Sequence, residues 1–254
     1  MSSRRTRLGV LVSGAGTNLE ALLRASNAGD FPAEVVLVLS NRSTARALEI
    51  ARGANIPAQA VPQSAFGNDP AARDRAAIKL LRDAQVELVI CAGYDRILSD
   101  EFLSAFPDAI LNVHPSLLPA FAGGMHAVED ALAYGVKVTG CTIQLLDHGQ
   151  PDGGPIILQA AVPVEPDDDA ESLRARIHEQ EWQLLPRAVE LWCAGRLRRQ
   201  GRVVRVLDAA VEAGASASDE FDAGPAASGH PPAGLPVTRP AGSFPPASPA
   251  SSRH

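Results

Sequence analysis

Asn112-Val113-His114-Pro115-Ser116-Leu117-Leu118-Pro119 places an amide and an imidazole two residues apart, directly after the apolar run Ala109-Ile110-Leu111. At the end of an extended strand, residues two apart point to the same side. Pro115 and Pro119 then stop the strand and stiffen its exit. An amide and an imidazole presented together at a strand's carboxyl end point to polar chemistry on a carbonyl. Further along, Asp152-Gly153-Gly154-Pro155 carries a carboxylate on a loop flexible enough to approach them. Asn112, His114 and Asp152 together form a set suited to acyl transfer. Asp147 is the rival carboxylate, and an Asp before two glycines also reads as a plain turn residue.

A second chemical feature is Ser13-Gly14-Ala15-Gly16-Thr17-Asn18-Leu19, which follows the apolar run Leu8–Val12 and opens a helix. Free backbone N–H groups and the helix dipole make such a turn an anion site. The dinucleotide fingerprint needs a third glycine where Leu19 stands, and an acid after the second strand where Ser40-Asn41 stand. The Lys-Ser/Thr ending of a nucleotide-triphosphate loop is also missing. A single terminal phosphate on a small molecule fits better. A strand-to-helix turn without a ligand is the alternative.

These features need a scaffold, and the hydrophobic pattern supplies one. Strands are expected over Leu8–Val12, Glu34–Leu39, Ala58–Val61, Glu87–Ala92, Ala109–Val113, Val138–Leu146, Ile156–Val162 and Val203–Leu207. Helices are expected over Thr17–Ala28, Thr44–Ala54 (capped by Asn41 or Ser43), Ala71–Ala84, a short stretch to Phe106 capped by Ser99, His126–Tyr134 and Glu171–Ala194, the last bent at Pro186. This alternation predicts an α/β fold: an open, mostly parallel twisted sheet with helices on both faces. Ligands in such sheets bind beyond the carboxyl ends of the strands, where strand order reverses. The glycine loop and the Asn-His strand end both fall on that edge.

The chain has 254 residues, 46% hydrophobic and 20% charged, enough for one globular domain with a substantial core. Its formal charge of -6 argues against a nucleic-acid scaffold. No apolar run is long enough for a membrane span, and the amino-terminal apolar stretch is too short for a signal peptide, so a cytoplasmic location is expected. Cys91, Cys141 and Cys193 read as buried free thiols rather than a disulfide or zinc set. Residues 165–169, an acidic run, read as a solvated helix start and not as a metal site. After Leu207 the chain turns to Ala, Gly, Ser and Pro. The expected organisation is therefore a folded domain over 1–207 and a disordered tail over 208–254.

With both motifs in view, the chain resembles the phosphoribosylglycinamide (GAR) formyltransferases, folate-dependent members of the formyltransferase family. The resemblance runs from about Leu8 to Leu197. It is carried by Val12–Leu19, Ser40-Asn41-Arg42, Ala92-Gly93-Tyr94-Asp95-Arg96-Ile97-Leu98, Asn112–Pro119 and Asp152–Ile157. It implies a GAR-binding amino-terminal half and a catalytic, folate-binding carboxyl-terminal half. It implies that Gly16, Thr17 and Asn18 hold the GAR phosphate, and that Glu181 touches the ribose. It implies that Asn112, His114 and Asp152 catalyse the transfer, with no metal. Arg96, Ile97 and Leu98, together with Asn112, would meet the folate, and Val138–Thr142 would lie beside it. The co-substrate would be 10-formyltetrahydrofolate, and the partners small molecules only, with no nucleic acid and no membrane, on a monomer or homodimer.

The chain departs from the family pattern at Ala120, Ala122-Gly123-Gly124, Gly67-Asn68-Asp69-Pro70 and Gln144, all outside the catalytic set. Two relatives share the Asn-x-His-Pro-Ser stretch. Formyltetrahydrofolate deformylases usually carry a preceding regulatory domain, and methionyl-tRNA formyltransferases a further domain and a basic surface. Neither feature is expected here. A non-catalytic binding protein on the same fold would have no reason to keep Asn112, His114 and Asp152 together.

Overall fold

β1 (Thr6–Val12) is apolar on both faces because it runs through the middle of a sheet covered on both sides. Its alternation divides the interior. Leu8, Val10 and Val12 pack to one side, and Leu11 to the other. The computed structural model describes residues 4–149 and 151–208. On one flank of β1 lie β2 (Ala33–Ser40) and β3 (Ala58–Ala60). On the other lie β4 (Leu88–Cys91) and β5 (Ile110–His114), and all five strands are parallel. β6 (Val138–Leu145) and β7 (Ile156–Pro163) then run antiparallel. The hairpin of β8 (Leu197–Gln200) and β9 (Val203–Val206) completes the order β3-β2-β1-β4-β5-β6-β7-β9-β8.

The helices are α1 (Thr17–Asn27), α2 (Arg46–Gly53), α3 (Pro70–Asp83), α4 (Asp100–Ala105), α5 (Ala127–Tyr134) and α6 (Ala170–Cys193). Leu19, Leu22, Leu48, Leu185 and Val189 from α1, α2 and α6 cover one face of the sheet. Ile78, Leu81 and Phe102 from α3 and α4 cover the other. Each fully buried side chain of this size contributes roughly 1.5–3 kcal/mol relative to leaving it exposed. The chain leaves β1 toward β2 and β3, then returns to β4 on β1's other side. That reversal opens a crevice at the carboxyl ends of β1 and β4.

The expected alternation is present, with differences at particular points. Ser99 caps α4 as expected, accepting from Phe102 N at 3.3 Å. The expected cap of α2 by Asn41 or Ser43 does not form. Ala45 is the N-cap, without a side-chain bond. The Asn41 side chain is bonded to Ser13 and Asp95 instead, and the Gly14 carbonyl accepts the Ala47 N–H at 3.2 Å. β8 carries too little apolar residue to read as a strand, because it lies at the sheet edge. Cys91 and Cys141 are buried, and burial pushes each thiol up to about 12. Cys193 is only partly buried, since it closes α6 near the helix end. The stretch expected to form a disordered tail lies outside the described residues from position 209 onward. Among the described residues, no helix is long and apolar enough to cross a membrane.

Candidate active site

The last three residues of β5 divide by strand alternation. Val113 turns into the core, while Asn112 and His114 share the opposite face. Both are held by neighbours on either side. Asn112 lies opposite Cys91 of β4 and Gln144 of β6, and His114 lies opposite Thr142. His114 is 5% exposed. Its Nδ1 is 3.0 Å from the Ser116 hydroxyl. Its Nε2 lies 3.3 Å from Asp152 Oδ2, close enough for a charge contact but off line for a hydrogen bond. That nitrogen is buried with no hydrogen-bond partner among the described residues, so the site presents an unbonded buried polar atom.

Asp152 reaches the strand end because its loop bends sharply. Asp152 itself has φ +55°. A Cβ on Gly154 would sit 1.9 Å from the Leu145 carbonyl oxygen, so only glycine lets this loop press against β6. The carboxylate accepts from Gly123 N at 2.8 Å, Gln144 Nε2 at 3.1 Å and Asn112 Nδ2 at 3.5 Å. Burial pushes the Asp152 carboxyl up, but His114, the Gly123 N–H and Gln144 together outweigh it and hold the group below the usual carboxylate range. The rival Asp147 is engaged elsewhere, by Arg199 and its own neighbour's N–H.

The glycine loop lines a cavity of about 190 Å³ between α1 and α6, with Thr17 and Asn18 on one side and His178 and Glu181 on the other. Asn18 Nδ2 donates to Glu181 Oε2 at 2.7 Å, while Asn18 Oδ1 is buried without a partner. Burial raises the Glu181 carboxyl, against the pull of Asn18, His178 and His114. Arg174 also lines the cavity. Arg174, His178 and Glu181 follow a helical i, i+4, i+7 spacing, so one face of α6 carries all three. Sequence reading gives a role to Glu181 and sets His178 near the site without one, while Arg174 goes unnoticed. The polar i, i+4, i+7 stripe within an amphipathic helix is the signal that points to Arg174 as well.

Gly16 has φ +82°, and a Cβ there would lie 2.8 Å from Ala47 Cβ and 2.9 Å from Ala47 Cα. Gly16→Ala is therefore expected to lower the melting temperature by roughly 4–10 °C. The left-handed conformation alone costs about 1–2 kcal/mol, and the backbone of α2 has to move as well. Differential scanning calorimetry checks this, and an unchanged melting temperature would show that the loop relaxes without strain.

Between the two motifs runs the Gly93–Leu98 loop. Asp95 accepts from the Ser13 hydroxyl at 3.0 Å and Asn41 Nδ2 at 2.6 Å, and pairs with Arg42. It thereby ties together the carboxyl ends of β1, β2 and β4. Burial raises Asp95, and these donors with Arg96 overcome that and lower it. Arg96 Nε is 3.5 Å from Asp95. Ile97 is 75% exposed, whereas Leu98 is buried in the α3–α4 core, so Leu98 has only its backbone to offer a ligand. The buried Arg73–Asp74 pair fixes this loop from below. Arg73 donates to the Ile97 carbonyl at 3.4 Å, and Asp74 accepts Ser99 N–H at 2.7 Å.

Residues 6–189 match the formyl transferase family. The chain is 44% identical over 212 residues to the phosphoribosylglycinamide formyltransferase of Mycobacterium tuberculosis, covering 80% of this chain and 95% of that protein. It is 42% identical over 205 residues to the trifunctional purine biosynthetic protein adenosine-3 of Drosophila pseudoobscura pseudoobscura, covering 80% of this chain; the chain spans 15% of that protein's length. The crystal structure of glycinamide ribonucleotide transformylase 1 from Symbiobacterium toebii superposes with a TM-score of 0.78 at 46% identity, covering 82% of this chain and 96% of that one. With its mostly parallel sheet, its glycine loop and its Asn-His strand end, this chain belongs to the formyl transferase family.

Proposed function

We propose that this chain transfers the formyl group of 10-formyltetrahydrofolate to the amine of 5-phosphoribosylglycinamide, giving formyl-GAR and tetrahydrofolate in purine (IMP) biosynthesis. The observation that carries this reading is the grouping of part-buried Asn112 and Asp152 around buried His114, beside a cavity walled by a glycine loop and a buried carboxylate. Membership of the formyl transferase family and the relatives' names support it.

In the transfer the amine nitrogen bonds to the formyl carbon, the bond from that carbon to the folate nitrogen breaks, and one proton passes from the amine to the departing nitrogen. Asn112 donates an N–H to the carbonyl oxygen as negative charge gathers there. His114 Nε2 has no hydrogen-bond partner among the described residues and is available to the same oxygen or to the moving proton. Asp152 sets the charge beside that nitrogen and orders the water or amine proton next to it. Gly16, Thr17 and Asn18 receive the substrate phosphate at the start of α1. Arg174 supplies positive charge and His178 a ring nitrogen across the cavity, and Glu181 meets the ribose end. Arg96, Ile97 and the Leu98 backbone form the folate side. The working unit is the domain over 1–207, acting in the cytoplasm on small molecules as a monomer or homodimer.

The test is a spectrophotometric assay with 10-formyltetrahydrofolate, with and without GAR. Tetrahydrofolate is expected only when GAR is present. Equal release without GAR would replace transfer by hydrolysis. GAR binding without any turnover would make the chain a binding protein.

A further inference from the structure

Ser116 belongs to the Asn112–Pro119 stretch, yet no step above uses it. It is fully buried, and its hydroxyl touches two groups. One is His114 Nδ1 at 3.0 Å, and the other is the Ala120 carbonyl oxygen at 2.6 Å. A hydroxyl has one proton to give, and a carbonyl oxygen has none. Two oxygens 2.6 Å apart in a dry interior need that proton between them, because otherwise their lone pairs face one another. The Ser116 proton is therefore committed to Ala120. The same hydroxyl can then only accept from His114, so Nδ1 must carry a proton.

The backbone makes this arrangement rigid. Thr142 Oγ1 donates to the Ser116 carbonyl at 2.7 Å and accepts from Leu118 N at 3.1 Å and Gln159 Nε2 at 2.9 Å. The exit loop of β5 is thus pinned to β6 and β7 on both sides of the hydroxyl. The charged groups facing the ring are Asp152 from the β6–β7 loop and Glu181 from α6. Both are acidic, and Asp152 lies at Nε2. Without Ser116, a carboxylate there would draw the neutral ring's single proton onto Nε2, leaving that nitrogen unable to accept one.

We propose that Ser116 is a positioning residue that reserves His114 Nδ1 as a permanent proton carrier, so that Nε2 is the nitrogen that gains and loses the proton in the reaction. This rests on His114 acting in formyl transfer. It adds which of its nitrogens acts and what fixes the choice.

The test begins with the unaltered full chain, labelled with ¹⁵N-histidine, and reads both ring nitrogens of His114 by NMR from about pH 5 to about pH 10. Comparison with a His114→Asn spectrum assigns the signal among the six histidines. Nδ1 is expected to stay protonated throughout, with any titration confined to Nε2. A bare Nδ1 at any pH overturns the proposal. In Ser116→Ala the neutral ring is expected to switch to the Nε2–H form, and kcat to fall about tenfold or more. KM for both substrates should stay within about twofold, and Ser116→Thr should restore the Nδ1–H form. An unchanged tautomer in Ser116→Ala, or an unchanged kcat, overturns it. The spectra need no substrate. Protonated Nδ1 in a chain that transfers no formyl group would uphold the proton assignment and remove the transfer reading instead.

Discussion

His114→Ala is expected to reduce kcat for GAR formylation at least about a hundredfold, with the fold retained. The ring is nearly buried, and its Nε2 has no hydrogen-bond partner among the described residues. A buried ring nitrogen left without a hydrogen bond is unfavourable in the resting chain. It becomes useful only when the reacting groups bring it an oxygen or a proton to bond, which is the condition for stabilising a transition state more than a ground state. One oxyanion donor lost in this way is worth roughly 2.7–4 kcal/mol. The substitution leaves β5 intact, because its ladder bonds are backbone bonds and the core residue Val113 is untouched. Steady-state kinetics read the result, and circular dichroism checks the fold. Near-normal turnover by a folded variant would remove His114 from the reaction.

The catalytic strand end was legible because its code is local. Alternation along β5 puts Asn112 and His114 on one face whatever the rest of the fold does. The two prolines mark where the strand stops. The strand–glycine–helix order of Leu8–Asn27 is equally local, and it puts the phosphate loop on the same sheet edge as β5's end. What escaped the sequence was everything decided by partners far along the chain. Asn41 is by type a good cap for α2, but Ser13 and Asp95, which lie 28 and 54 residues away, bond its side chain first. Gln144 shows no catalytic pattern in sequence. It supports Asp152 because antiparallel pairing of β6 with β5 sets it opposite Asn112. The edge strand β8 lacked the apolar alternation that identifies inner strands, since only one side of it has a neighbour. Arg174 was hidden for another reason: a helix of 24 residues has many polar positions, and only the packing of α1 against α6 shows which of them face the cavity.

Asp152→Asn tests the carboxylate with almost no change in shape. Turnover is expected to fall by about a hundredfold, because an amide cannot place negative charge beside His114 Nε2. The amide oxygen can still accept from Gly123 N, so the loop should keep its course. Its new NH₂, however, would confront the amide donors of Asn112 or Gln144, which now both point at carboxylate oxygen Oδ1. The pH dependence carries a sign that separates charge from shape. Asp152 titrates lower in the fold than in the unfolded chain, where it titrates near the ordinary carboxylate value of about 3.9. The unfolded chain therefore binds the extra proton first as the pH falls. The stabilisation that Asp152 contributes is complete above that ordinary value and is lost as the pH drops through the lower folded value. Asp152→Asn has no such group, so its melting temperature should fall less than the wild type's on going from neutral pH to about pH 3. Parallel acid profiles for the two proteins would show that Asp152 gains nothing from its partners when ionised. An unchanged rate at neutral pH would move the charge at His114 to another carboxylate, with Glu181, already across the cavity, as the group to replace next.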